Sequence, residues 1–267
     1  LKTPYSDREV IVLDGISKRY FLHHDRAGEL KTALLHLPTF LKASRAKEPF
    51  WALRDISLTV RQGESVGIIG ANGAGKSTLL RIVARLAPPT EGKLTVRGRV
   101  SPLLELGAGF HPQLSGRDNT VLNAVLLGLS RKEAQQKLPE ITEFSELEEF
   151  IDQPMRTYSS GMYVRLGFAV AVHVRPEILL VDEVLAVGDA EFQRKCFAHI
   201  DKLRQEQVTI VLVTHDLESV KRFCDRAVLL NHGVIAAQGD PRDVVDEYLE
   251  QVFGHAGAAP AGDAGEP

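Results

Sequence analysis

The sequence predicts an α/β fold built on a mostly parallel sheet. Three observations predict it. Short, wholly apolar runs recur at GESVGIIG (63–70), ILLVDE (178–183) and VTIVLVTH (208–215). They are too short for core helices and suit strands buried on both faces. Helical patterns of three-to-four spacing alternate with them, as parallel connections require. A glycine-rich turn, GANGAGKST (70–78), joins the first run to the amphipathic stretch KSTLLRIVARL (76–86).

In chain order, EVIVLD (9–14) reads as a first strand, and LRDISLTV (53–60) alternates as a half-buried one. After GESVGIIG and its helix, a PPTEG turn leads to LTVRGRV (94–100), read as one strand. Residues 118–151 carry two long helical patterns. TYSSGMYVRL (157–166) reads as a turn opening a helix, with bare backbone N–H groups that suit an anion. AVLLNHGVIAA (227–237) reads as a hairpin with a His-Gly turn, and PRDVVDEYLEQVF (241–253) as a last helix started by proline.

Two segments stand apart. Residues 21–49 interrupt what should be a short loop. Leu30, Leu34, Leu37 and Leu41 recur at helical spacing, with Lys31, Lys42, Arg45 and Lys47 among them and Pro38 to kink the helix. Such a stripe fits a membrane surface or a partner, or packing on the protein's own sheet. The Ala/Gly/Pro-rich end, within residues 249–267, is expected to be a flexible tail.

Composition narrows the function. The chain has 267 residues, net charge −3 and a pI of about 6.3, so no basic field argues for a nucleic-acid partner. Cys196 and Cys224 are the only cysteines, which excludes a disulfide scaffold and favours a reducing cytosol. The best apolar stretches, VLNAVLLGL and LGFAVAVHV, are about half of the roughly 20 residues a spanning helix needs. No signal peptide is expected from the polar start LKTPYSDREV.

GANGAGKST matches the pattern of glycine, four residues, then Gly-Lys-Ser/Thr, between strand and helix. Gly70, Gly73 and Gly75 let the backbone wrap, so that N–H groups of the loop (Gly70, Ala71, Asn72, Gly73, Ala74, Gly75, Lys76, Ser77, Thr78) turn inward. Lys76 supplies charge for the outer phosphates, and the Ser77 hydroxyl can ligate Mg²⁺. ILLVDE adds carboxylates at a neighbouring strand end: Asp182 to hold Mg²⁺ through water and Glu183 to polarise the attacking water. His215 ends VTIVLVTH at the same sheet edge, within reach of a γ-phosphate. ATP and Mg²⁺ are the expected cofactors.

GANGAGKST, YSSGM, ILLVDE and VTH, in that order, resemble the ATP-binding subunit of ABC transporters, from residue 9 to about 240. The resemblance implies a P-loop NTPase, an ABC-type ATPase with an antiparallel β subdomain and a helical subdomain at about 110–170. It implies one ATP-binding domain over 1–248, the inserted segment 21–49 included. It also implies a head-to-tail homodimer. There Ser159, Ser160 and Gly161 of one copy would touch the ATP held by Lys76 of the other. Asp189 takes the place of the subunit-crossing aspartate, and Tyr20 that of the aromatic stacked on adenine. The usual signature is LSGGQ; here Ser160 replaces a glycine and Met162 a glutamine. The glutamine expected before the helical insert is absent. Glu105 or Leu106 falls nearest its place, and Gln113 lies too far along.

YSSGMYVRLGFAVAV, ELGAGFHPQLSGRDN and the long segment ahead of FWALRDISL resemble exporters of bacterial polysaccharides: O-antigen, capsule and teichoic acid. The function this implies is an ATP-hydrolysing motor at the cytoplasmic face of the inner membrane, moving a lipid-linked polysaccharide. It would be joined to the membrane through an integral permease, with no carbohydrate-binding domain in the tail. The rival within the family is an ATPase for another cargo, such as a drug or lipid. A soluble ABC protein of DNA repair or translation would need tandem cassettes or a long coiled coil, and neither is seen.

Overall fold

The computed structural model describes residues 6–21, 49–104, 107, 109–182 and 188–254. Glu183, Glu105, Leu106, most of the 21–49 insertion and the end of the tail lie outside them. The described elements form two sheets and seven α-helices. Strands β1 (Glu9–Phe21), β2 (Pro49–Arg61) and β4 (Glu91–Val96) make a three-stranded antiparallel sheet in the order β2-β1-β4. The second sheet has six strands: β5 (Val100–Pro102), β6 (Ile178–Val181), β7 (Thr209–Val213), β3 (Ser65–Ile69), β8 (Arg226–Asn231) and β9 (Val234–Gly239), in that spatial order. All its pairings are parallel except β8 with β9.

The apolar runs are explained by two cores on opposite faces of this sheet. Along β7, Val211 and Val213 enter the core shared with the antiparallel sheet, beside Ile11, Leu53 and Ile56. Ile210 and Leu212 enter the other, beside Phe168, Phe192 and Ile200. Ile68 and Ile69 divide in the same way, each 1% exposed. Each such side chain stabilises the fold by about 1.5–3 kcal/mol relative to exposure, so a one-residue slip would cost both faces at once.

The helices are α1 (Lys76–Val83), α2 (Gly116–Leu126), α3 (Arg131–Ser145), α4 (Ser160–His173), α5 (Ala190–Gln205), α6 (Leu217–Phe223) and α7 (Pro241–Gly254). A third core joins α2, α3 and α4 through Ala124, Ala134, Ile141, Leu166 and Val170. Ser130 and Glu133 form a capping box at the start of α3, which continues through Pro139 and stops at Glu146 in the left-handed conformation. The apolar stretch within α4 is buried core, and among the described residues no helix is long and apolar enough to cross a membrane.

One expectation is corrected. Residues 94–100 are not one strand. The chain leaves β4 at Val96, turns at Gly98 (φ 113°) and enters the other sheet as β5. Glu177 directs the change: its Oε1 accepts from the Arg99 N–H at 3.1 Å. The N–H groups of Glu177 and Ile178 donate back to the Arg99 carbonyl at 3.0 Å each. Glu177 lies far along the chain, so no local pattern announces the break. The His-Gly hairpin turn is as expected: His232 and Gly233 have φ 46° and 80°, the paired positive values of a tight two-residue turn.

Candidate functional site

Because β3, β6 and β7 run parallel, their carboxyl ends reach one edge of the sheet. The phosphate loop leaves β3 there, Asp182 follows β6, and Thr214 and His215 follow β7. Three groups inferred from sequence, the phosphate loop, Asp182 and His215, therefore meet without a tertiary accident: each sits just past a strand end.

The loop is fixed from below. A Cβ on Gly70 would lie 2.1 Å from the Leu230 carbonyl oxygen, and one on Gly75 would lie 2.6 Å from that of Ala52. Both positions have positive φ, 145° and 107°, so glycine is required twice over. The Gly233 N–H donates to the Ala74 carbonyl at 3.1 Å, and the Arg54 N–H donates to Gly233 at 2.7 Å, pinning the loop to the hairpin turn and β2. Ala74 is buried; Ala71, Asn72, Gly73 and Ser77 face outward, and Thr78 is half-buried. Lys76 is 5% exposed, and its Nζ donates to the carbonyls of Gly70 (2.8 Å) and Ala71 (3.0 Å). A buried ammonium at the mouth of an N–H-lined loop suits an anion.

The VTH turn is shaped by its neighbours. The Asp216 N–H donates to Thr214 Oγ1 at 3.0 Å, and Asp216 caps α6 through the Glu218 N–H at 3.1 Å. His215 is left exposed on the edge, and Asp182 is half-buried.

The signature turn, at Ser159–Gly161, lies at the start of α4. Its entry is braced: the Tyr158 hydroxyl donates to the Phe150 carbonyl at 2.8 Å and fills the space a side chain at Gly116 would need. Burial raises the Tyr158 pKa. Ser159 is the N-cap, its Oγ accepting from the Met162 N–H at 3.2 Å. Beyond this the turn is bare. Ser159 and Ser160 are exposed, and a Cβ on Gly161 would have only Ser159 Oγ near it, at 3.8 Å.

Asp189 caps α5, accepting from the N–H groups of Phe192 (2.9 Å) and Glu191 (3.1 Å). Its other oxygen accepts from Arg165 at 2.5 Å. The Phe192 N–H foremost, with Arg165, holds this carboxyl below the usual range. Arg165 was not singled out in the sequence, yet it joins three elements. It binds Glu146 at the end of α3 (2.7 Å), rises from α4 itself, and reaches Asp189 while stacking 4.8 Å over Phe192. Lys195 also binds Glu146, at 3.0 Å. Arg165 stands 19 and 24 residues from these carboxylates, beyond the range of helical spacing rules.

Tyr20 lies at the end of β1, 38% exposed, with Lys18 Nζ 5.3 Å from its ring and Phe50 opposite it on β2. Gln113 is exposed in the turn before α2.

Comparison with known proteins bears on the family and the fold. The family model described as "ABC transporter" matches residues 53–186. An O-antigen export system ATP-binding protein, RfbB, of Myxococcus xanthus is 47% identical over 247 residues, covering 91% of this chain and 56% of that protein. The protein of the same name from Klebsiella pneumoniae is 46% identical over 241 residues, covering 90% and 98%. Among solved structures, the dimeric structure of MJ0796, a bacterial ABC transporter cassette, superposes with a TM-score of 0.68 at 25% identity, covering 87% of this chain and 99% of that one.

Proposed function

The chain belongs to the ABC transporter family, and on that premise we propose that it is the ATP-hydrolysing motor of an exporter of lipid-linked cell-envelope polysaccharide. The observation that carries the cargo is near-half identity across 98% of an O-antigen export subunit. The observation that carries the mechanism is the pairing of a finished phosphate loop with an open signature turn in one chain.

In this reading MgATP sits on the loop of one copy and is capped by Ser159, Ser160 and Gly161 of a second. Lys76 and the loop N–H groups bind the phosphates, Ser77 and Asp182 hold Mg²⁺, and Tyr20 stacks on the base. The metal would supply charge neutralisation at the phosphates. Glu183 polarises the attacking water and His215 binds the γ-phosphate oxygen. The dimeric assembly of a cassette with the same fold supports the two-copy arrangement. Because ATP touches both copies only when they close, it favours the closed state by its differential affinity. An integral permease would receive that closure and hold the motor at the cytoplasmic face of the inner membrane.

Glu183→Gln tests this. The variant in saturating MgATP should elute from a sizing column as a dimer with bound ATP, and purified wild-type protein should hydrolyse ATP. A strictly monomeric variant would contradict the two-copy site. Copurification of a permease carrying a lipid-linked sugar checks the cargo, and a drug or simple lipid in its place would refute it.

A further inference from the structure

At the far end of α4 from the signature turn lies a second site of distinct chemistry. Thirteen helical steps separate Ser160 from His173, about 20 Å. There a crevice of about 450 Å³ opens between α3, the end of α4 and α5. Val172, Leu203 and Val208 are among its apolar lining residues. Its polar lining is two imidazoles, three cations and two carboxylates: His173 and Arg175 at the end of α4, Lys137 and Glu140 from α3, and His199, Lys202 and Glu206 from α5.

The two rings lie 4.7 Å apart, and each is packed on Phe144. His173 Nδ1 lies 2.7 Å from the Ala169 carbonyl, and His199 is hydrogen-bonded to the Val172 carbonyl. A carbonyl only accepts, so each ring spends one N–H on the backbone. The second nitrogen of each ring is then a bare lone pair while neutral and a donor only when protonated. Lone pairs could attract a metal ion, but among the described residues no group of three metal-ligating side chains gathers. Lys137, Arg175 and Lys202 also repel a cation. Two of these cations have carboxylate neighbours: Lys137 meets Glu140 at 2.7 Å, and Lys202 meets Glu206 at 4.0 Å. Arg175 lies in the field of Glu140 and of Glu133 outside the crevice, and within the lining itself three cations face two carboxylates.

We propose that this crevice binds a small, multiply charged oxyanion and takes up a proton on the histidine pair as it does so. The anion supplies the negative charge that the cluster lacks, and protonation turns the idle ring nitrogens into donors toward it. The free rings are held neutral at pH 7. Burial comes first, and for His199 the neighbouring His173 and then Lys202 add to it, pushing its pKa down to about 4; His173 is lowered mainly by burial. An anion raises both values. Affinity for it therefore climbs as pH falls from neutrality towards the ligand-free value and levels off below it. The site does not depend on the nucleotide reading. A ligand there would bridge the helical layer at α3 to α5, whose cap is Asp189.

Proton NMR of the imidazoles in the full chain tests the proposal, with sulfate as probe because it stays dianionic across the range. Resonances are assigned with His173→Gln and His199→Gln, and sodium chloride at equal ionic strength is the control. Sulfate affinity should rise at least about tenfold between about pH 7 and pH 5. The exposed substitution Lys202→Gln, whose fold is not in question, should weaken it severalfold. Citrate run in parallel separates the sources: tighter citrate binding assigns a polycarboxylate, tighter sulfate binding a phosphate-like group. Imidazole resonances that only follow the chloride control would overturn the proposal, as would pH-independent sulfate binding. So would a response to Zn²⁺ but not to either anion.

Discussion

The phosphate loop and the signature turn are both helix starts, but they are finished to different degrees. At Gly70 and Gly75 the chain's own carbonyls fill the space a side chain would need, and Lys76 is buried. At Gly161 almost nothing lies near that space, and Ser159 and Ser160 are exposed. A site packed by its own chain is complete as folded. In the function proposed above, a turn with nothing of its own over it is half of a contact, and the difference marks where a second copy would come in.

Substituting the two glycines should pull this contrast apart. Gly70→Ala is expected to have the larger effect. It drives a methyl into the Leu230 carbonyl at a positive φ, costing about 3 kcal/mol or more, and nucleotide binding is lost with the loop. Thermal melting and a fluorescent ATP analogue would read both losses. Gly161→Ala should do the opposite to the fold: an alanine in the first turn of α4 leaves the melting temperature unchanged or raises it, by up to about 1 kcal/mol of stability. ATP hydrolysis should nonetheless fall about a hundredfold, the scale of losing one preorganised contact to transition-state charge. If Gly161→Ala hydrolyses ATP normally, the open turn caps nothing.

Arg165→Ala sharpens the comparison with a smaller effect. Arg165 ties the open turn's helix to Asp189 and Glu146, all outside the phosphate loop. Its loss should lower turnover about tenfold while leaving ATP binding to the separate protomer unchanged. The paired control Asp189→Asn keeps a capping side chain but drops the charge. Combined with Arg165→Ala it should add little, because both remove the same bridge. Fully additive losses would mean the bridge is incidental.

Much of this molecule could be read from the chain because its signals are local. Gly70 to Thr78 announces a loop in nine residues, His232-Gly233 announces its turn, and Asp182 and His215 follow unbroken apolar runs. Their shared edge follows from parallel pairing alone. The misreading at 94–100 has the opposite origin, since Gly98 bends there for Glu177. Arg165 likewise gives no sign of its partners, which stand 19 and 24 residues away along the chain. The His173–His199 crevice forms only when α3, α4 and α5 pack. Each ring alone resembles an ordinary helical histidine.

By itself, then, the sequence determined the parallel sheet, the phosphate loop and the order of groups along the sheet edge. These rest on period and spacing, which hydrogen-bond geometry and burial translate directly into structure. Only the tertiary structure decided which glycines are walled in, which stand open, what Arg165 bridges and where two histidines meet. Those depend on contacts between residues distant along the chain, and such contacts exist only after packing has brought their helices and strands together.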